Sequence, residues 1–235
     1  ARIRGGWVGA GAFEALLLTP GTFDLVHPQK RFYAGGANSV RGFAQGRLGP
    51  RVLTIDPVRL LEPGPEGAGC SPSQLMDLSC DPASINEGRF VPRPTGGTRV
   101  LEGNLELRFP IGVNLEGVMF TDIGQVWSGR DEVDLSKLAV TPGIGFRYLS
   151  PVGPIRIDLG YRFREGEPLA VVTSQLEVFN PNMHEESDRI RMDGNVIPYV
   201  RTHELAALNT SRLFGEASPF SFQRFQLHIS IGQAF

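Results

Sequence analysis

The sequence predicts an all-β protein: an antiparallel transmembrane β-barrel fragment of six strands with two long extracellular loops. Three observations point there. Apolar and polar residues alternate with a period of two in several separate segments, charges recur at every second position within them, and short turns alternate with very long connections. Period-two alternation marks a strand with one apolar and one polar face. Segments of about 9–11 residues match a tilted membrane-spanning strand.

Residues 1–11 are the weakest strand, with Ile3 and Trp7 opposing Arg2 and Arg4. Residues 98–109 set Leu101, Leu105, Leu107 and Phe109 against Glu102, Asn104, Glu106 and Arg108. In 115–127, Met119, Ile123 and Trp127 oppose Glu116, Phe120, Asp122 and Gly124; in 139–149, Val140, Ile144, Phe146 and Tyr148 oppose Gly143, Gly145 and Arg147. Residues 155–164 are more regular, with Ile155, Ile157, Leu159, Tyr161 and Phe163 against Arg156, Asp158, Gly160, Arg162 and Arg164. The last strand, 225–235, places Phe225, Leu227, Ile229, Ile231 and Phe235 opposite Gln226, His228, Ser230 and Gly232. Charged rows suit a water-filled interior, and the intervening rows suit lipid. A soluble antiparallel sandwich with one wet face would read the same way and stands as the alternative.

Composition narrows the classes. At 235 residues the chain could form one or two domains, and a net charge of −2 gives no reason to expect nucleic acid. No run of 18 or more apolar residues is present, which excludes a transmembrane helix but not barrel strands, since these expose only alternate side chains to lipid. The 29 glycines and 18 prolines are scattered, as suits many turns. The chain begins without Met, directly in a strand. Residues 1–235 are therefore expected to be the C-terminal portion of a longer exported barrel whose first strands lie upstream. Six strands cannot close a transmembrane barrel, for which about eight is the usual minimum.

The connections are unequal. Residues 110–114 and 150–154 are short Gly/Pro turns, whereas 14–96 and 165–222 are long, polar and Pro/Gly-rich. Within the second, Arg201–Leu208 could form a short helix with Thr202 as its N-cap; the segment otherwise reads as a solvated insertion. Cys70 and Cys80 fit a disulfide in an oxidising compartment, with free thiols as the alternative. No metal-ligand spacing occurs among Cys70, Cys80 and the four histidines. His228 and Ser230 are merely alternate residues of one strand face. No catalytic residue, metal or cofactor is expected.

The densest local signal is Arg31-Phe-Tyr-Ala-Gly-Gly-Ala-Asn-Ser-Val-Arg-Gly-Phe43, inside the first long connection. Gly35, Gly36 and Gly42 permit sharp turns. Arg41 between small and apolar neighbours suits a loop folded back into the barrel, where its guanidinium needs an acceptor. Asp122 is that acceptor's best candidate, sharing a lumen-facing row with Phe120 and Gly124, which leave room for an incoming loop. The alternative is a surface Arg41 and an unrelated lumen charge at Asp122.

Together these residues resemble the BamA-type outer-membrane assembly factors of the bacterial surface antigen superfamily. The resemblance rests on Val40-Arg41-Gly42-Phe43, on Phe120-x-Asp122-x-Gly124, on Ser150–Pro154 before the last strand pair, and on Phe235. It implies a 16-stranded barrel preceded by POTRA domains, of which this chain carries the last six strands and neither the POTRA domains nor the first strands. It further implies folding and insertion of β-barrel proteins into the bacterial outer membrane, without ATP or cofactor, through a lateral gate. Unfolded outer-membrane proteins would be clients, accessory lipoproteins partners, and outer-membrane lipid the surroundings. The gate strand and C-terminal signal would comprise Leu227, Ile229, Ile231, Gly232 and Phe235. A protein-secretion or autotransporter-assembly barrel of the same superfamily is the alternative; such relatives share the Arg-Gly pair but often follow it with Tyr, where this chain has Phe43.

Overall fold

The computed structural model describes residues 1–9, 26–63, 69–128, 133–151, 153–163, 166–192, 194–215, 218 and 221–232. In chain order the strands are β1 (Arg2–Trp7), β2 (Arg51–Thr54), β3 (Val91–Pro94), β4 (Arg99–Pro110), β5 (Leu115–Trp127), β6 (Ala139–Ser150), β7 (Gly153–Tyr161), β8 (Glu167–Val178), β9 (Arg189–Met192), β10 (Asn195–Phe214) and β11 (Phe225–Ile231). Two short helices, α1 (Pro57–Leu61) and α2 (Pro72–Met76), lie between β2 and β3. They divide between two compact units, one drawn from residues 1–50, 94–165 and 217–235, the other from 51–93 and 166–216.

The first unit is a six-stranded sheet in the order β1-β4-β5-β6-β7-β11, with every neighbouring pair antiparallel. These are the six strands that the alternation predicts. β1 is shorter than expected, ending at Trp7, and residues 10 and 11 lie outside the described residues. Register aligns the apolar positions into a continuous ribbon: Leu107 faces Met119, Met119 faces Ile144, Ile144 faces Leu159, and Leu159 faces Leu227. All five are exposed, Leu107 at 65% and Leu227 at 54%. The opposite face is charged and buried, with Asp122 and Asp158 at 0% exposure, Arg156 at 1% and Arg147 at 2%.

That distribution decides between the two readings. A soluble sandwich buries its apolar rows and wets its charged ones; this sheet does the reverse, as the wall of a membrane barrel does. Moving one such large apolar side chain from water into hydrocarbon gains on the order of 1.5–3 kcal/mol. The exposed ribbon therefore favours lipid strongly. The turn between β6 and β7 follows its sequence signal, with Gly153 at φ +119° and the Ser150 hydroxyl donating to its carbonyl at 2.5 Å.

The second unit, built from 51–93 and 166–216, corrects the reading of residues 165–222 as a solvated insertion. Its five-stranded sheet runs β3-β2-β8-β10-β9, with β2 parallel to β8 and β8, β10 and β9 antiparallel. It has an orthodox apolar core that includes Leu53, Leu60, Leu75, Ile85, Val171 and Leu208. Local chemistry starts both helices: Asp56 caps α1, Ser71 and Gln74 form a capping box on α2, and each helix has a proline in its first turn.

The helix expected over 201–208 does not form, and Thr202 is not an N-cap. These residues belong to β10, which pairs with β8 through register shifts between Arg201 and Leu205 and between Ala207 and Ser211. The Thr202 hydroxyl instead accepts from the Glu204 amide at 3.2 Å, inside the first of these bulges. β8 carries Leu169, Val171 and Thr173 on its buried row, and a β-branched partner strand outweighs the helical preference of Ala206 and Ala207.

Cys70 and Cys80 are disulfide-bonded, with Cα atoms 5.7 Å apart, and Cys80 lies in the core. Peptide mapping without reduction should recover them linked. The variant Cys70→Ser/Cys80→Ala should lose about 3 kcal/mol of the second unit's stability by loop-closure entropy. Faster protease cleavage within 69–93 would register that loss, and unchanged cleavage would count against it.

Candidate functional site

The motif loop is closed on itself before it meets the sheet. Ala34 bridges Leu48, and Phe32 bridges Gly97 on the approach to β4. The Gly36 amide donates to the Phe43 carbonyl at 2.9 Å, and the Gly35 amide to the Ser39 hydroxyl at 2.9 Å. Gly35 and Gly36 sit at φ +98° and +110°, which a side chain would strain, and a Cβ on Gly35 would lie 2.6 Å from the Ala44 carbonyl oxygen. This turn delivers Val40, Arg41 and Phe43, all buried, to the charged face of the sheet.

The sheet receives the loop at positions without side chains. A Cβ on Gly124 would stand 2.8 Å from Val40 Cγ2, and one on Gly160 would stand 2.6 Å from the Arg41 carbonyl oxygen. Gly143 leaves space for the Phe120 ring. Val40 and Phe43 pack with Ala34, Leu48, Val100, Val126 and Ala139 in a small apolar cluster. The loop is thus held by shape as well as by charge.

Arg41 is fully buried, and its donors are matched. Nε donates to Asp122 Oδ2 at 2.8 Å and Nη2 to Asp122 Oδ1 at 2.9 Å, a bidentate fork, while the Arg41 amide adds a third bond to Asp122 Oδ2 at 3.0 Å. Nη1 donates to Glu106 Oε2 at 2.8 Å and lies 3.7 Å from Asp158 Oδ2. The Phe120 ring lies under the guanidinium, 3.5 Å from centroid to Cζ. Burial works against the Arg41 charge, but the hydrogen bonds and charge of Asp122, with Glu106 and Asp158, outweigh it and raise its pKa above the ordinary value.

The surrounding face extends this network. Arg147 donates to Asp158 at 2.7 Å and to Glu106 at 3.3 Å. Arg156 reaches Asp158 at 3.3 Å and holds the loop from below through Asn38 Oδ1 at 2.9 Å and the Ala37 carbonyl at 2.7 Å. Asn104 joins Asp122, at 2.9 Å, to the Ser39 carbonyl, at 2.8 Å. Ser39 donates to Glu102, which pairs on its other side with Arg4 of β1 at 2.9 Å. Arg41, Arg147 and Arg156 thus face Glu106, Asp122 and Asp158, while the buried Glu102 is matched by the half-exposed Arg4.

The structure brings together Val40, Arg41, Gly42 and Phe43 with Phe120, Asp122 and Gly124. It adds Glu106, Asn104, Arg147, Arg156 and Asp158, whose charged rows the sequence reveals but whose convergence on one loop depends on strand register. Leu227, Ile229 and Ile231 lie on the exposed row of β11, which ends at Ile231, so that Gly232, expected within the strand, follows it at φ +105°. Phe235 lies outside the described residues. His228 is occupied by the Arg41 carbonyl, at 3.0 Å.

A family model described as the Omp85 superfamily domain matches residues 3–174, a span that includes the motif loop and β4 to β7. The chain belongs to the Omp85 superfamily. The superfamily comprises, broadly, outer-membrane barrels of protein assembly and translocation. Among solved structures the chain is similar to the crystal structure of BamA from Haemophilus ducreyi lacking POTRA domains 1–3. Identity is 20% and the TM-score 0.36, over 59% of this chain and 24% of that one. The chain therefore spans about a quarter of the length of that BamA structure.

Within this Omp85 chain, removing either partner of the central pair strands the other in a fully buried position, since Arg41 and Asp122 are both at 0% exposure. Arg41→Ala and Asp122→Ala should each cost about 3–5 kcal/mol, and the double variant less than their sum. Arg41→Lys should fall between, because it keeps the charge and loses the fork. Denaturant unfolding in micelles, with protease cleavage scored within 31–43, checks this series. Additive losses would argue against a direct pair.

Proposed function

We propose that this chain is the C-terminal portion of an integral outer-membrane barrel that folds and inserts β-barrel proteins, working without ATP or cofactor. The observation that carries the reading is the motif loop, anchored by a fully buried ion pair on the inner face of a sheet whose outer face is apolar. A plain pore gains nothing from a loop locked across its wall. A barrel that must hold one shape while its edge opens gains a rigid internal strut.

On this reading residues 1–235 lie in one barrel domain, with 14–96 carrying the motif loop and 165–222 the second extracellular connection. Further strands and the POTRA domains belong to the rest of the protein. A six-stranded sheet with unpaired edges is intolerable in hydrocarbon, because each unsatisfied backbone group there costs several kcal/mol. β11 forms one side of the lateral gate, offering its edge to a client strand by β-augmentation. Leu227, Ile229 and Ile231 face lipid or the partner strand, Gly232 eases bending at the strand end, and Phe235 contributes to the assembly signal. The partners are unfolded outer-membrane proteins, accessory lipoproteins and the lipid itself.

Replacing the native protein in its own cell with the full-length Arg41→Ala form tests the reading. Levels of many outer-membrane barrel proteins should fall together, as seen by quantitative proteomics of outer-membrane fractions. Normal barrel levels with failed export of a single secreted substrate would favour a translocation barrel instead. Normal levels of both would overturn the assignment.

A further inference from the structure

The inner face of β11 holds a contact that neither the strand ladder nor the Arg41–Asp122 pair requires. His228 Nε2 lies 3.0 Å from the carbonyl oxygen of Arg41. A carbonyl can only accept, so Nε2 carries the proton and His228 donates. The acceptor belongs to the same residue whose side chain and amide are fixed by Asp122. One residue of the loop is therefore held from two sides, by β5 through its guanidinium and by β11 through its carbonyl.

The place of this bond in the fold gives it meaning. β11 is bonded along one side to β7, from Phe225 opposite Tyr161 to Ile231 opposite Ile155, and is the outermost strand of its sheet. Close backbone approach makes the contact possible, since the Arg41 carbonyl sits over Gly160 of β7, where any side chain would collide with it. His228 faces Asp158 across the ladder, and Asp158 in turn holds Arg147 and Arg156. A second link lies at the start of the strand: Arg162 donates to the Gln223 carbonyl while its guanidinium lies 5.5 Å from the Phe43 ring centroid.

We propose that His228 is a positioning residue that couples docking of the motif loop to the pairing of β11 with β7. With the loop docked, the His228 bond holds β11 against the sheet. With the loop released, β11 loses that restraint and its ladder to β7 opens more readily. Coupling of this kind is reciprocal, so a strand that displaces β11 also loosens the loop. The consequence for client insertion rests on β11 being the gate strand, whereas the coupling itself does not.

Hydrogen exchange on the full-length protein in phosphatidylethanolamine/phosphatidylglycerol vesicles separates the two. In the otherwise native protein, Asp122→Asn should speed exchange both in the loop, 31–43, and in β11, 225–232. The rise in β11 should be on the order of fivefold, the factor carried by one hydrogen bond of ordinary net strength. In a His228→Leu background the same Asp122→Asn change should speed the loop alone. His228→Gln, whose amide reaches as far as the imidazole Nε2, should restore the response in β11. If His228→Leu does not insert, His228→Asn serves in its place, because it keeps a donor but is one methylene shorter. An equal rise in β11 with and without His228, or no rise in β11 on Asp122→Asn, would overturn the coupling. Loss of coupling in His228→Leu with unchanged client insertion would uphold it and reject β11 as the gate.

Discussion

A guanidinium placed where water cannot reach it must find enough acceptors in the protein, and that demand organises the described part of this chain. Arg41 meets it with both oxygens of Asp122 and with Glu106, while Phe120 covers the face of its plane. Each acceptor comes from a different position on the inner face, so the pair is satisfied only if β4 and β5 hold their register. The carboxylates need cations in turn, and Arg147 and Arg156 supply them from β6 and β7. One buried charge thus ties four strands and a loop into a single arrangement.

The glycines make this possible. Gly124, Gly143 and Gly160 lie on β5, β6 and β7 where the loop or the Phe120 ring comes closest. In a sheet that faced an ordinary core such positions would weaken packing. Here they form a shallow bed whose depth is set by the absence of a Cβ, and the loop backbone fills it. Charge then selects the loop that enters, and shape fixes how far it enters.

The two units use opposite solvents. The first exposes the Leu107-to-Leu227 ribbon and buries its charges; the second buries Leu53, Leu60 and Val171 and is locked by the Cys70–Cys80 disulfide. The chain alternates between them, because the long connections of the first sheet supply the strands of the second. A unit that folds around its own apolar core and is closed by a disulfide needs no lipid for its stability.

The six strands of the first sheet are legible in one dimension, because a period of two survives whatever the partner strand. Leu227 and Ile229 alternate with Gln226 and His228 wherever β11 is placed, and the turns at 110–114 and 150–154 carry their own glycine and proline signals. Arg41 was legible as a cation needing an acceptor, and Asp122 as an acceptor on the correct row. Tertiary structure decided which of two opposite faces meets lipid, since alternation is symmetric between an inside-out wall and a soluble sandwich. It also decided the convergence of Glu106, Arg147, Arg156 and Asp158, because register between strands far apart in sequence leaves no local trace. Arg201–Leu208 became strand rather than helix for the same reason: its intrinsic preference is worth a few tenths of a kcal/mol per residue, and a neighbouring strand offers more.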